Sequence, residues 1–139
     1  MFLLDTNVVS ELRKIPAGRA NPGVVAWAAL VPSAAMFLSV ISVLELELVI
    51  LLAERSDHAK GRVLQSWLNE TVLPAFEGRI LPVDQAVAVQ SATFHVPDPA
   101  PYRDAFIGAT ALIHGMTVVT RNASDFERFL NTEVLNPWT

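Results

Sequence analysis

Short apolar runs alternate along the whole chain with longer segments whose apolar residues recur three or four positions apart. A short apolar run is typical of a buried strand, and the longer spacing is typical of a helix. This alternation predicts an α/β domain with a mainly parallel sheet. No linker or repeat interrupts it, so residues 1–139 are predicted to form one domain. The predicted strands are Phe2–Leu4, Met36–Val40, Ile80–Val83, Thr117–Thr120 and Glu133–Leu135.

Helix boundaries are predicted from local capping signals. Ser42 is followed three residues later by Glu45, and Ser124 by Glu127, and both pairs match the capping-box pattern that opens a helix. Prolines in a first turn, aspartate caps and a terminal glycine predict the other helices. These run from Pro22 to Leu30, from Asp57 to about Thr71, from Asp84 to before Pro97, and from Pro101 to His114, where Gly115 ends the last one.

The composition excludes several classes of protein. With no Cys, the chain cannot form disulfides, thiolate zinc sites or a cysteine nucleophile, and it fits a reducing compartment such as the cytoplasm. Motifs for phosphate-binding loops, dinucleotide binding and serine hydrolases are also missing. The net charge of −4 disfavours broad electrostatic binding of nucleic acid. Hydrophobic residues make up 52% and charged residues only 17%, which predicts a protein partner or self-association.

Neither secretion nor membrane insertion is predicted. The first apolar run is short and ends at Asp5, so it does not resemble a signal peptide. The most apolar stretch, 34–53, is about long enough to span a bilayer, but it carries Glu45 and Glu47 near its middle. We therefore interpret this stretch as a buried strand followed by a buried helix.

Polar and acidic side chains follow several predicted strands. Asp5 directly follows the first strand, Glu45 lies in the first turn after the second, and Asn122 and Asp125 follow the fourth. The carboxyl ends of parallel strands border one crevice, which is where such sheets bind their ligands. Asp104 lies near the start of a later helix rich in small residues, which can approach the sheet closely. Converging carboxylates repel one another, and a cation such as Mg²⁺ or Mn²⁺ would offset that repulsion.

Most of these residues also have a purely structural explanation. Asp5 could cap a helix over Thr6–Leu12, Glu45 could only complete a capping box, and Asp125 could only be a favourable charge in a first helical turn. Asp104 is harder to explain in this way, because the apolar residues that follow it, Ala105, Phe106 and Ile107, indicate a partly buried carboxylate that needs a counter-ion or a metal.

Four ordered motifs resemble those of PIN domains. They are Leu3-Leu4-Asp5-Thr6-Asn7-Val8, Ser42-Val43-Leu44-Glu45-Leu46, Asp104-Ala105-Phe106-Ile107-Gly108-Ala109-Thr110-Ala111 and Val119-Thr120-Arg121-Asn122-Ala123-Ser124-Asp125-Phe126. The resemblance is to VapC-type toxins of bacterial toxin–antitoxin pairs. The closing Leu135-Asn136-Pro137-Trp138 is similar to the end of their FitB-like branch. The resemblance implies a three-layer α/β/α sandwich around a mostly parallel sheet, and a metal-dependent endoribonuclease.

The resemblance also implies the acidic site. Asp5, Glu45 and Asp104 fall on the three acidic positions that would hold Mg²⁺, with Mn²⁺ as a substitute. The fourth acidic position falls on Asn122, and Asp125 lies close behind it as an alternative. Water activated by the metal would attack the RNA and leave a 5′-phosphate.

Four further residues are candidates for supporting roles. The resemblance implies that Thr6 would orient water or a phosphate oxygen, and that Thr120 would play a similar part behind the ligands. Arg103 and Arg121 lie next to predicted ligands and could hold flanking phosphates, or could be solvated surface arginines.

The resemblance implies a homodimer and a small antitoxin that wraps an apolar groove, inserts a basic side chain into the acidic site, and provides the only contact with DNA. Residues 43–53 and 63–73 are candidate docking surfaces, or plain core.

Two other interpretations stay open. A PIN-like chain that has lost turnover could serve as a binding module in a DNA-bound regulatory complex. A receiver-like phosphoacceptor domain also clusters acids around Mg²⁺, but it would usually carry paired acids near Asp5 and a late lysine.

Overall fold

The computed structural model describes residues 1–139, and its strands form one sheet. The sheet order is β3-β2-β1-β4-β5, and every neighbouring pair is parallel. All carboxyl ends therefore lie at one edge. The strands are β1 (Phe2–Leu4), β2 (Met36–Ser39), β3 (Ile80–Leu81), β4 (Thr117–Val119) and β5 (Val134–Leu135). The predicted α/β class is confirmed, and the sheet is wholly rather than mostly parallel.

Helices connect these strands. They are α1 (Thr6–Leu12), α2 (Pro22–Leu30), α3 (Val40–Ser56), α4 (His58–Trp67), α5 (Leu73–Ala75), α6 (Gln85–Thr93), α7 (Tyr102–His114) and α8 (Ala123–Glu127). A 3-10 turn at Ser33–Ala35 precedes β2, and a π turn at Leu68–Val72 joins α4 to α5.

Two cores lie on opposite faces of the sheet. Successive residues of a strand point to opposite faces, so Leu3 packs into one core and Leu4 into the other, and both are fully buried. Helices α6, α7 and α8 cover the Leu3 face, and α1, α3 and α4 cover the Leu4 face. This is the predicted three-layer α/β/α sandwich.

Several predicted helix boundaries are confirmed. Helix α2 has the predicted bounds, and Asp57 and Asp84 cap α4 and α6 through side-chain oxygens that accept backbone N–H groups. Helix α7 ends at His114, and Gly115 follows with a φ of 66°, in the left-handed region that a glycine C-cap uses.

Both predicted capping boxes are wrong. Helix α3 begins earlier, at Val40, because the Ser39 hydroxyl already accepts the Ile41 N–H at 3.0 Å at the end of β2. Ser42 is therefore buried inside the helix, and Glu45 lies in its second turn rather than its first. Helix α8 begins before Ser124, after Asn122, without a side-chain cap.

The helix that follows Asp57 continues beyond its predicted end near Thr71. A π turn, in which the Leu73 N–H bonds to the Leu68 carbonyl, carries the chain into α5. Pro74 is the second residue after this turn and has no N–H of its own, so regular α-helical bonding is interrupted here.

The apolar stretch 34–53 forms β2 and most of α3, as the sequence predicts. None of the helices combines the length and the apolar character that crossing a bilayer requires.

A glycine allows the close packing of α3 on α4. A Cβ at Gly61 would lie 2.6 Å from the Glu54 Cβ and 2.7 Å from its Cα. We expect Gly61→Ala to lower the free energy of unfolding by about 1 to 3 kcal/mol, because the added methyl group overpacks the contact. At an exposed helix position the same substitution would instead raise it by roughly 1 kcal/mol. Urea unfolding measures this. The exposed control Ser66→Ala in the same helix should be neutral or stabilising; equal behaviour of both variants would contradict the packing argument.

Candidate active site

The site is built around Asp5, which directly follows the central strand. Its N–H donates to the Val119 carbonyl at 2.9 Å and so extends the pairing of β1 with β4. One carboxylate oxygen, Oδ1, accepts the Thr6 N–H at 2.8 Å and caps α1. The other, Oδ2, accepts the Thr120 hydroxyl at 2.8 Å. Asp5 is therefore both a helix cap and a carboxylate held rigidly at the carboxyl edge.

The Asp5 carboxylate is almost completely withdrawn from water, with 7% of the residue exposed. Burial raises its pKa, since the ionised form loses hydration. Hydrogen bonds from Thr120 and Thr6 oppose this, and the charges of Glu45 and Asp125 raise the pKa further. The net direction is upward, so neighbouring protein groups do not fully stabilise the ionised carboxylate.

Thr6 connects Asp5 to the second acid. The Thr6 hydroxyl donates to Glu45 Oε1 at 2.8 Å and also lies 3.2 Å from the buried Ser42 hydroxyl. The other Glu45 oxygen, Oε2, lies 3.5 Å from Arg103 Nη1. The backbone N–H of Thr6 and its side chain thus fix two different acids, which is a more specific role than the sequence predicted.

Asp104 lies in the first turn of α7 and is half-buried. Burial is the main cause that raises its pKa to about 6; the charges of Asp5, Asp125 and Glu45 raise it too, and Arg103 lowers it. A small residue of α7 allows close packing on the segment after α8: Gly108 lies against the Phe129 ring, where a Cβ would come within 2.8 Å. The predicted burial of Asp104 is confirmed.

Asp125 lies in the first turn of α8, and it acts on the other acids more directly than Asn122 does. The charge of Asp125 raises the pKa of both Asp5 and Asp104 after burial has done so. The Asn122 N–H donates to the Thr120 hydroxyl at 3.0 Å, and its side chain makes no capping bond. The charge of Asp125 therefore favours it over Asn122 as the fourth acid, and that assignment stays a prediction.

Asn7 belongs to the site, although the sequence predicted no role for it. Its Nδ2 lies 3.4 Å from both Asp5 Oδ2 and the Thr120 hydroxyl, and its Oδ1 accepts the Arg121 N–H at 3.3 Å. Asn7 thus ties the start of α1 to the loop after β4. Its position two residues after Asp5, inside the first motif, was the available signal.

The two candidate arginines lie in different surroundings. Arg103 forms an ion pair with Glu45 and has a half-exposed side chain. Arg121 follows β4, is exposed, and its guanidinium lies over the Trp138 ring with Cζ 5.8 Å from the centroid.

The donor set suits a hard divalent cation. Its ligands would be carboxylate oxygens, which Mg²⁺ and Mn²⁺ prefer. Burial and, after it, the charges of neighbouring acids raise the pKa values of Asp5 and Asp104, and a positive ion would offset both effects. Nowhere in the structure are three Asp, Glu or His side chains grouped at metal-binding spacing. The assignment of Asp5, Glu45 and Asp104 as ligands therefore stays a prediction.

Comparison with known proteins identifies the family. A family model described as PIN domain matches residues 2–129. The chain belongs to the PIN-domain family. Toxin FitB of Neisseria gonorrhoeae is 40% identical over 145 residues, which cover 99% of each chain. VapC ribonuclease Y4jK of Sinorhizobium fredii is 36% identical over 143 residues, covering 99% of this chain and 98% of the relative.

A solved structure supports the same assignment for this PIN domain. It is the structure of FitAB bound to the IR36 DNA fragment, which matches with a TM-score of 0.86 and 36% identity, covering 100% of this chain and 96% of the solved chain. The resemblance noted from the four motifs is therefore confirmed across almost the whole chain.

The raised pKa of Asp104 predicts a pH-dependent effect on stability. The carboxyl holds its proton up to about pH 6 in the folded protein, whereas an unperturbed aspartate side chain loses it near pH 3.8. Ionised Asp104 therefore destabilises the fold above about pH 6, and the effect disappears below about pH 4. We expect Asp104→Asn to raise the free energy of unfolding of the metal-free protein by about 1 to 2 kcal/mol at neutral pH, a figure reduced for solvent screening of a half-exposed group.

Urea unfolding in EDTA at about pH 7.5 and about pH 4 measures this difference. Asp98→Asn, which changes an exposed loop carboxylate, is the matched control and should give no gain at either pH. An equal gain for Asp104→Asn at both pH values would contradict the electrostatic explanation.

Proposed function

We propose that residues 1–139 act as one PIN domain, and that the protein is a metal-dependent endoribonuclease acting in the cytoplasm as the toxin of a toxin–antitoxin pair. The observation that carries this proposal is the set of mutually repelling carboxylates, Asp5, Glu45, Asp104 and Asp125, at the carboxyl edge of a parallel sheet. The names of the relatives, a toxin and a VapC ribonuclease, support it.

Asp5, Glu45 and Asp104 would hold Mg²⁺, with Mn²⁺ as a substitute. When bound, such an ion lowers the pKa of its water and stabilises negative charge on the phosphate. The chain's own residues then orient the carboxylates: Thr120 holds Asp5 Oδ2, and Thr6 holds Glu45 Oε1. Because these oxygens are fixed before substrate arrives, little reorganisation is needed during the reaction.

The two arginines would bind RNA phosphates beside the cleaved bond. Arg103 contacts Glu45 of α3, the helix that follows β2, and Arg121 follows β4. Since β2 and β4 lie on either side of β1, the two arginines would flank the strand that leads to Asp5. A guanidinium can bind a phosphate through two parallel hydrogen bonds. Two local arginines at the site also fit a chain whose net charge of −4 leaves little general attraction for RNA.

The partners we propose are a cognate antitoxin and a second copy of this chain. DNA would be contacted only through the antitoxin, as the resemblance implies. Helix α3 supports a docking role, because Leu44, Leu48, Leu51 and Leu52 are 40–57% exposed. In the segment 63–73, by contrast, Leu64, Leu68 and Val72 belong to the core.

We expect the purified chain, freed of antitoxin, to cut a mixed pool of transfer and ribosomal RNA with Mg²⁺ or Mn²⁺. Asp5→Asn and Asp104→Asn should each lower the rate at least about a hundredfold, since each removes a charge that metal binding needs. Gel assays beside an EDTA control measure this. End analysis should give 5′-phosphates, because water rather than the 2′-hydroxyl attacks.

Asp98→Asn, on an exposed loop, should cut like the unmodified protein. Products with 2′,3′-cyclic phosphate ends would refute the water mechanism. A folded protein that cuts no RNA with either metal would favour the alternative, a binding module within a DNA-bound regulatory complex.

The exposed leucines of α3 and the low share of charged residues, 17%, lead us to expect a homodimer at micromolar concentration. Size-exclusion chromatography with light scattering gives the mass directly. The expected result is twice the chain mass of 15.2 kDa, and a mass equal to one chain over the whole concentration series would contradict the dimer.

A further inference from the structure

The segment 136–139, which follows β5, packs against the loop that carries Arg121. The Thr120 N–H donates to the Leu135 carbonyl at 3.0 Å, which extends the pairing of β4 with β5. Asn136 Nδ2 then donates to the Arg121 carbonyl at 3.3 Å. The Asn136 Oδ1 accepts the Trp138 N–H at 3.0 Å, and this turn brings the indole ring under the Arg121 guanidinium.

The same segment is anchored on its other side to the start of α2. Asn21 Oδ1 accepts the Thr139 N–H at 3.1 Å, and Asn21 Nδ2 donates to the Thr139 carbonyl at 2.9 Å. The Pro137 carbonyl lies where a Cβ of residue 23 would clash with it, so Gly23 allows this approach. Trp138 itself packs against the core on the Leu4 face. The indole is therefore a fixed platform.

Arg121 is also tied to the acidic site. Its N–H donates to Asn7 Oδ1 at 3.3 Å, and Asn7 Nδ2 lies 3.4 Å from Asp5 Oδ2. The carboxyl ends of β1, β4 and β5 are neighbours in the sheet, so Asp5, Arg121 and Asn136 follow one another along its edge. The Arg121 backbone is thus fixed from both neighbouring strands.

The Arg121 guanidinium remains available to a ligand. None of the ion pairs in the structure involves it, and the residue is exposed. The face of an indole attracts a cation and limits the rotamers of the arginine above it. A flexible arginine loses conformational entropy when it binds RNA, and this loss weakens binding. An arginine whose rotamers are already restricted loses less entropy and therefore binds more tightly.

We propose that Trp138, held by Asn136, is a positioning residue that presents Arg121 to an RNA phosphate on the β5 side of the acidic site. This inference rests on the proposed ribonuclease function and extends it: the bound RNA would cross the ends of β4 and β5. Trp138 acts on substrate binding and not on the chemical step.

The test compares Trp138→Leu, Trp138→Phe, Arg121→Ala and the Leu/Ala double variant. We expect Trp138→Leu to raise the KM for single-stranded RNA about three- to tenfold with kcat unchanged, as expected for the loss of a cation–π contact. Trp138→Phe, which keeps an aromatic face, should recover most of the affinity. Arg121→Ala should make the negative slope of log affinity against log salt concentration shallower by about one. The double variant should bind RNA no more weakly than Arg121→Ala alone.

Binding of the same RNA is measured in parallel by fluorescence anisotropy, with Asp104→Asn as a non-cutting background. Circular dichroism and the Tm confirm that each variant is folded. If the unmodified chain cuts RNA but Trp138→Leu leaves KM and affinity unchanged, the inference is refuted and the proposed function stands. A fall in kcat, or additive losses in the double variant, also refutes it. If nothing is cut, the proposed function fails, and the anisotropy series alone decides whether Trp138 acts through Arg121.

Discussion

The hydrogen bond from the Thr120 hydroxyl to the Asp5 carboxylate is the interaction on which the rest of the site depends. A carboxylate buried at the end of a central strand needs polar partners, because an isolated buried charge is very unfavourable. The hydroxyl of Thr120, the N–H of Thr6 and the amide of Asn7 supply them. These groups come from the ends of two paired strands, so the parallel pairing of β1 with β4 is what assembles the pocket.

The site is electrostatically unfavourable on its own, and the two cores hold it in place. Asp5 and Asp104 both have raised pKa values, because burial and neighbouring acids disfavour their ionised forms. Leu3 and Leu4 are fully buried on opposite faces of the sheet and fix the strand that leads to Asp5. The packing of α7 on the Leu3 face fixes the helix that carries Asp104. Packing therefore provides the stability that the acidic cluster reduces, which is a common relation between a scaffold and a functional site.

Much of this arrangement can be predicted from local pattern. Short apolar runs are distinctive and predict the strands, and Asp5 is placed at the carboxyl edge because it ends the first run. The apolar neighbours of Asp104 predict its burial. The two capping boxes are wrong because Ser-x-x-Glu is a weak local signal, and at α3 Ser39 completes the strand and caps the helix three residues earlier. The contact of Arg121 with Trp138 depends on how β4 and β5 pair and could not be predicted from spacing.

The pairing of β1 with β4 also has a consequence for how the protein is made. The Thr120–Asp5 hydrogen bond joins residues 115 positions apart in the chain. Contacts at such separation form late, because a long loop must close before they contribute. During translation, Asp5 leaves the ribosome well before Thr120 does, so its pocket cannot close until residue 120 has followed. Until then, a nascent chain carries its acids in an open, unassembled form.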